Sequence, residues 1–228
     1  MDSETIQKQK AEVAQAAVKY IQNDMVIGIG SGSTMWYLIE ELGKRVQAGL
    51  RITGVPTSIA TKAHAEKLHI PLKTLDEIDQ IDLTIDGADQ IDDHYQGIKG
   101  GGASHLMEKI VATNSKRNMW IVDESKLVPT LTYPVPLEVI PYGSRQLEKR
   151  LQALGLHAKI RKTTDQQFVT TDSANYIIDL SITAVPNPAA LADQLNQLVG
   201  IVEHGLFLDM VNTIIVQHED GPQIINVR

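Results

Sequence analysis

The sequence predicts an α/β protein: a doubly wound, mostly parallel sheet domain with a smaller ferredoxin-like α+β domain. Two observations carry this. Over roughly the first 131 residues, short apolar runs alternate with amphipathic helical segments, the pattern of a parallel sheet covered on both faces. From about Thr132 the order becomes strand, helix, strand, strand, helix, strand, that of a ferredoxin-like unit. The expected division is residues 1–131 with 206–228 for the sheet domain and 132–205 for the smaller one.

Residues 5–23 read as a helix, because Ile6, Val13, Ala14, Ala17, Val18 and Ile21 recur at helical spacing. Lys10 lies on that stripe, four residues from both Ile6 and Ala14. It either snorkels past the core edge or presents a cation to an anionic ligand. MVIGIG (25–30) reads as a buried strand, and the helix from about Thr34 has Met35, Leu38, Ile39, Leu42 and Val46 as its inner face. RITGVPTS, LKTL, IDLTID and NMWIVDE read as further strands, with helices over SIATKAHAEKL and residues 103–115.

In the smaller domain, PVPLEVI and HAKIRK read as strands on either side of the helix SRQLEKRLQAL. FVTTD and YIIDLSI form a hairpin turning at residues 173–175. NPAALADQLNQL is a helix opening near a proline, and GIVEHGLF is the last strand. VNTIIVQ, a turn at EDG, and QIINVR return to the first sheet as an added hairpin.

A formal charge of −7 over 228 residues argues against a nucleic-acid binder, whose affinity comes largely from basic residues facing phosphates. The absence of cysteine excludes disulfides and thiolate metal sites. The polar amino-terminal segment lacks the apolar core of a signal peptide. No apolar run approaches the roughly 20 residues that span a bilayer. The expectation is a cytoplasmic protein without nucleic-acid or membrane partners.

Four segments carry chemistry. GIGSGST (28–34) follows a strand and opens a helix, where glycines admit a ligand to the backbone. The helix-start N–H groups and the Ser31, Ser33 and Thr34 hydroxyls there suit a phosphate. The spacing is not that of a dinucleotide fingerprint and no Walker lysine follows. A tight turn with Ser33 as N-cap explains the same residues. DGAD (86–89) closes a predicted strand, the edge where open parallel sheets bind ligands. Its Asp86 and Asp89, separated by Gly87 and Ala88, either face one cleft or sit solvated in an Asx-type turn.

IKGGGASHLMEKIV (98–111) sets Lys99 ahead of Gly100, Gly101 and Gly102, with Glu108 in the helix that follows. Glycine loses more backbone freedom on folding than any other residue, so a triplet implies a crowded turn or a ligand close to the backbone. On a helical wheel Ala103, Leu106, Ile110 and Val111 share one side and Glu108 lies well away from it, the position of a solvated glutamate. DESK (123–126) adds Lys126 just past a strand, or is simply a polar loop. A doubly wound sheet gathers all four segments on one edge. His64, His69, His94 and His105 share no metal-ligand spacing.

GIGSGST, TIDGADQID, IKGGGASHLMEKIVA, VDESK and PVPLEVIP, in this order and at these spacings, resemble the type A ribose-5-phosphate isomerases. The similarity covers almost the full length, including GIVEHGLF. It implies a Rossmann-like domain with a ferredoxin-like domain, no metal or other cofactor, and a homodimer or homotetramer. The implied substrate is a small sugar phosphate, D-ribose 5-phosphate, interconverted with D-ribulose 5-phosphate in the pentose phosphate pathway. On this resemblance Glu108 is the catalytic base, and Asp86, Asp89 and Lys99 surround the reacting end of the sugar. Ser31, Gly32, Ser33 and Thr34 form the binding loop. Gly87, Ala88, Gly100, Gly101 and Gly102 border the substrate, Lys126 binds it, and Lys10 lies near the phosphate. His105 is assigned no role.

The implied reaction moves a proton between C2 and C1 through an enediolate, needing one base and donors facing the oxyanion. Glu108 and residues 31–34 are therefore expected to border one cavity a pentose long. Two rivals use the same residues: a non-catalytic sugar-phosphate sensor, and a magnesium enzyme with Asp86, Asp89 and Glu108 as ligands.

Overall fold

The computed structural model describes residues 3–228. Its helices are α1 (Ser3–Ala17), α2 (Ser33–Gln47), α3 (Ile59–Lys67), α4 (His105–Thr113), α5 (Ser144–Ala153) and α6 (Pro188–Asn196). Its first strands are β1 (Met25–Ile29), β2 (Ile52–Pro56), β3 (Leu83–Asp86), β4 (Gln90–Ile91), β5 (Gly97–Ile98) and β6 (Asn118–Asp123). The rest are β7 (Val135–Val139), β8 (Ala158–Ile160), β9 (Tyr176–Leu180), β10 (Ile201–His204), β11 (Leu206–Phe207), β12 (Thr213–His218) and β13 (Gly221–Asn226). The chain forms two compact units. One is Met1–Ala88, Met107–Lys126 and Met210–Arg228; the other is Asp89–Leu106 and Leu127–Asp209. Among the described residues no helix is long and apolar enough to cross a membrane.

The first unit is built on a six-stranded sheet in the order β13-β12-β6-β3-β1-β2. Every pairing is parallel except that of β12 with β13, the added hairpin expected from VNTIIVQ and QIINVR. The chain leaves β1 on one side for β2 and crosses to its other side for β3, so the strand order reverses between β1 and β3. Strand alternation sorts side chains onto two faces. Ile27, Ile29, Leu83, Ile85, Met119 and Ile121 cluster with Val13, Ala17, Leu38 and Leu42 of α1 and α2. Fully burying one such Leu or Ile side chain is worth roughly 1.5–3 kcal/mol. On the opposite face Val26 and Val55 pack with Ile81 and with Val111 of α4.

Helix α4 comes very close to β1. A Cβ on Gly28 would lie 2.8 Å from Val111 Cγ1 and 1.9 Å from Thr84 Oγ1, so only glycine fits there. The carboxyl end of α4 is tied to the amino ends of the strands: Asn118 Nδ2 donates to Ala112 O (3.0 Å) and Ile81 N–H to Asn114 O (3.3 Å). The helix thus runs against the strands, with its first turn towards their carboxyl edge.

In the second unit β7, β8, β9 and β10 form an antiparallel sheet in the order β10-β7-β9-β8. Leu147 and Leu151 of α5 and Ala192 and Leu195 of α6 pack with Val135, Leu137, Val139, Ile178 and Leu180. This is the expected ferredoxin-like order. A second small sheet, β11-β5-β4, belongs to the same unit. Asp89–Leu106 therefore group with it, ahead of the boundary at 132 read from the sequence, because β5 pairs with β11.

The short strands β4 and β5 were not read from the sequence, and four further elements differ from that reading. The first helix ends at Ala17 and continues as a 3-10 turn, Val18–Tyr20. LKTL makes a single bridge, Gly54↔Leu72, then a 3-10 turn in which Thr74 and Glu77 form a capping box, an end signal that overrides the strand pattern. GIVEHGLF splits at Gly205 into β10, which pairs with β7, and β11, which pairs with β5, and a Cβ at that junction would lie 2.3 Å from Lys99 O. FVTTD makes only the bridges Lys162↔Phe168 and Thr170↔Tyr176, and the Thr171 hydroxyl instead donates to buried Glu138 (2.8 Å).

Candidate active site

In the first unit, β1, β2, β3 and β6 end at Ile29, Pro56, Asp86 and Asp123, and the segments beyond them form one edge. The strand order reverses between β1 and β3, the place where open sheets of this kind admit ligands. Asp86 is buried, 3% exposed. Its Oδ1 accepts the N–H of Ser31 (3.1 Å) and of Gly87 (2.8 Å). A Cβ on Gly30 would lie 2.0 Å from that oxygen, so the glycine is what lets the carboxylate lie against the loop.

The Ser31 hydroxyl is taken into a cluster with Thr57 Oγ1 (2.8 Å), Ser58 Oγ (2.8 Å) and Thr61 Oγ1 (3.1 Å). Ser58 also caps α3, accepting the Thr61 N–H at 3.0 Å. Sequence reading did not find this cluster, because Ser31 and the 57–61 segment at the start of α3 are brought together only by folding. Gly32 takes φ +107°, a backbone state that L side chains rarely adopt, and it holds the N-cap position of α2, which the alternative reading of this segment gave to Ser33. Ser33 is instead the first helical residue, and its Oγ accepts a hydrogen bond from Lys10 Nζ at 2.9 Å. Lys10 thus leaves the apolar stripe of α1 for the start of α2. Both residues line a cavity of about 560 Å³ with Ile6, Gln7, Trp36 and Tyr37. A helix start and a lysine together favour an anion.

Glu108 sits in the first turn of α4 and is 6% exposed. The wheel reading is overturned: Ile110 is 39% exposed, while His105, Glu108, Val111 and Ala112 are buried. Burying an ionisable group is costly, so something other than apolar periodicity decides how this helix faces. Val111 touches the Gly28 position, and Glu108 lies three residues, ~4.5 Å along the helix, nearer the carboxyl edge. Asp86 shares the α4-side face of β3 with Thr84, whose hydroxyl meets Ser115 Oγ at 2.6 Å just beyond α4. Lys126 ends the 3-10 turn Glu124–Lys126 that follows β6 and is partly buried.

The second unit holds Asp89, Lys99 and the glycine triplet. Asp89 Oδ2 accepts the Gly101 N–H at 2.7 Å. A Cβ on Gly101 would lie 2.9 Å from Asp89 Oδ1 and from the Tyr133 hydroxyl. Gly100 has φ +110°, and a Cβ there would lie 2.6 Å from His105 Nδ1. Gly102 has nothing within 4 Å of its Cβ position. Two of the three glycines therefore answer to crowding, and the third faces open space. Lys99 is 4% exposed, with Nζ 5.1 Å from the centre of the Phe207 ring, a cation–π contact. Burial, and next the Asp89 charge, push the Tyr133 phenol above its ordinary pKa, keeping it neutral. Tyr133 and Phe207 escaped the sequence reading, and His105 was given no role in it. His105 follows the triplet by only three residues, a neighbour close enough to have been a signal. Among the described residues no three His, Asp or Glu side chains group as metal ligands.

Fold and site define a two-unit α/β protein of the enzyme type, with buried acid groups and an anion-favouring turn at the reversal of a parallel sheet. Residues 53–221 match the family model for ribose 5-phosphate isomerase A (phosphoriboisomerase A). The ribose-5-phosphate isomerase A of Levilactobacillus brevis is 56% identical over 221 residues, covering 96% of this chain and 97% of that one. That of Enterococcus faecalis is 49% identical over 220 residues, covering 96% and 97%.

Among solved structures, a D-ribose-5-phosphate isomerase in complex with phospho-erythronic acid superposes with a TM-score of 0.93 at 37% identity, covering 99% and 100% of the two chains. The ribose 5-phosphate isomerase A of Methanocaldococcus jannaschii does so at 0.91 and 38%, covering 96% and 98%. The chain belongs to the ribose-5-phosphate isomerase A family and is an isomerase.

Proposed function

We propose that the chain interconverts D-ribose 5-phosphate and D-ribulose 5-phosphate through an enediolate, with Glu108 carrying the proton between C2 and C1. The observation that carries this is the burial of Glu108, a carboxylate that the apolar pattern of α4 gives no reason to hide. A base that takes a carbon-bound proton and returns it to the neighbouring carbon works best shielded from water. The phosphate anchors at the start of α2 through the backbone N–H groups of Ser33 and Thr34, the Ser33 hydroxyl and Lys10, with Lys126 as a further cation. Ser31 acts indirectly: its N–H holds Asp86 and its hydroxyl holds the α3 cluster. Lys99 and the Gly102 N–H stabilise the enediolate oxygens. Asp86 or Asp89 moves the hydroxyl proton when the furanose ring opens.

The ligand named with one related structure supports this reading. Phospho-erythronic acid joins a planar anionic carboxylate to a phosphate, the shape and charge of a phosphorylated enediolate. The test is a coupled assay for ribulose 5-phosphate, run with chelator throughout. The wild-type protein is expected to turn over and Glu108→Gln to lose orders of magnitude. In heavy water part of the product is expected to carry deuterium at the transferred position, to the extent that Glu108 exchanges its proton before returning it. Near-wild-type turnover by Glu108→Gln would take the base role from Glu108. Wild-type activity abolished by chelation would favour the magnesium reading.

A further inference from the structure

The glycine turn of the second unit is gripped by an arginine. Arg161, the residue after β8, donates through Nε to Asp179 Oδ2 (2.8 Å) and through Nη2 to Asp179 Oδ1 (2.5 Å). The two side chains are 18% and 23% exposed. Its remaining nitrogen, Nη1, donates to the carbonyls of Gly100 (3.1 Å) and Gly101 (2.9 Å). A guanidinium bound two-fold to a carboxylate has a fixed plane, so its grip on these carbonyls has a set direction. The carboxylate belongs to β9, a paired strand of the four-stranded sheet. The turn itself has no side chains with which to fix its own orientation.

In a trans peptide the C=O and the following N–H point opposite ways. The peptide between Gly100 and Gly101 is therefore held at both ends, its carbonyl by Arg161 and its N–H by Asp89 Oδ2 at 2.7 Å. The next peptide is held by the Gly101 carbonyl, which turns the Gly102 N–H away from the guanidinium. That N–H belongs to the one glycine of the triplet with open space at its Cβ position.

We propose that Arg161, locked by Asp179, is a positioning residue of the isomerase reaction. It aims the Gly102 N–H at the enediolate and holds Asp89 in register through the Gly100–Gly101 peptide. This rests on the reading of the reaction given above. Arg161 touches no reacting atom in this role, so its effect falls on the rate of the chemical step and little on substrate affinity.

Arg161→Lys keeps the charge but cannot span a carboxylate and two carbonyls. Its kcat is expected to fall about 10–100-fold, since small misplacements of catalytic groups cost rates of that order. KM and the unfolding midpoint are expected to stay close to wild type. Arg161→Ala is expected to lose more kcat and to recover part of it in millimolar guanidinium chloride. The guanidinium ion can enter because Arg161, Gly101 and Tyr133 line an open cavity of about 620 Å³ within this unit. The amide resonance of Gly102 is expected to shift in both variants while those of α5 stay in place.

Wild-type kcat in folded Arg161→Lys, or a loss confined to KM, would overturn the proposal. If Arg161→Ala does not fold, Asp179→Asn provides the same test, because it leaves the guanidinium in place but loosened. The two readings fail separately. A wild-type protein without isomerase turnover defeats the proposed function, whereas an active wild type whose Arg161 variants keep their kcat defeats only this role.

Discussion

Asp86 fills the space that a side chain on Gly30 would need: its Oδ1 stands 2.0 Å from the Cβ position of residue 30. The carboxylate in turn accepts the Ser31 N–H, so the turn after β1 and the end of β3 determine each other. Gly30→Ala cannot keep both. It is expected to cost about 1–3 kcal/mol, the usual range for forcing atoms into packed space, and to cut kcat through the displaced Asp86. Urea unfolding and the coupled assay read the two effects. Unchanged stability and turnover would show that the loop does not fix Asp86.

Glu108→Gln separates catalysis from folding. The amide is nearly isosteric and removes a buried carboxylate, so the unfolding midpoint is expected to hold or rise. The kcat is expected to fall by about 10²–10⁴, the usual contribution of a positioned acid–base group. A variant that lost stability and activity together would point to a structural carboxylate instead.

The glycine triplet offers an internal control. Gly101→Ala meets Asp89 and Tyr133 at 2.9 Å and is expected to lose both stability and activity. Gly102→Ala meets no protein atom within 4 Å, so its unfolding midpoint is expected to match wild type. If substrate lies against that backbone, Gly102→Ala still loses turnover. Full activity in Gly102→Ala would mean that the third glycine faces only solvent.

Lys10→Met keeps the apolar stem and removes the charge that reaches Ser33. Hydrogen bonds to charged groups are worth about 1.5–3 kcal/mol, which corresponds to roughly a 10–150-fold rise in KM for the phosphorylated sugar. The kcat is expected to change little. A fall in kcat at constant KM would remove Lys10 from the phosphate anchor.

Acid stability has a readable contributor in Asp82. The hydrogen bond from Lys116 (2.8 Å), and next that from the Val26 N–H (2.9 Å), hold its pKa below the ordinary 3.8. A carboxyl group lowered on folding stabilises the protein fully above its unfolded-chain pKa. That contribution is lost as pH falls through the lower folded value. Asp82→Asn is therefore expected to be less stable than wild type near pH 7, with the gap closing below about 3.8. A gap that persisted into strong acid would show that charge is not its source.

The inner face of α2 illustrates what could be read locally. Met35, Leu38, Ile39 and Leu42 are as buried as their spacing requires, because helical periodicity is a property of neighbouring residues. The same rule failed at α4, where it placed Ile110 inside and Glu108 outside. A wheel weighs only hydrophobicity, and the buried side of this helix includes His105 and Glu108. LKTL has strand-like composition, but the capping box at Thr74 turns its end into a 3-10 turn; FVTTD keeps the expected hairpin turn at 173–175 but pairs only through isolated bridges.

The alternation of strands and helices in the first unit, the strand–helix order of the second and the added hairpin were legible in the sequence alone, because each follows from short-range pattern. Only the tertiary structure decided that Gly100 and Gly101 are glycines for packing and Gly102 is not. It also decided that Ser31 is spent on Asp86 and the α3 cluster, and that Arg161 and Asp179 grip a turn some sixty residues earlier in the chain. The physical reason is that hydrogen bonds and steric exclusion act between groups that folding brings together, and no local pattern encodes which distant partner will arrive.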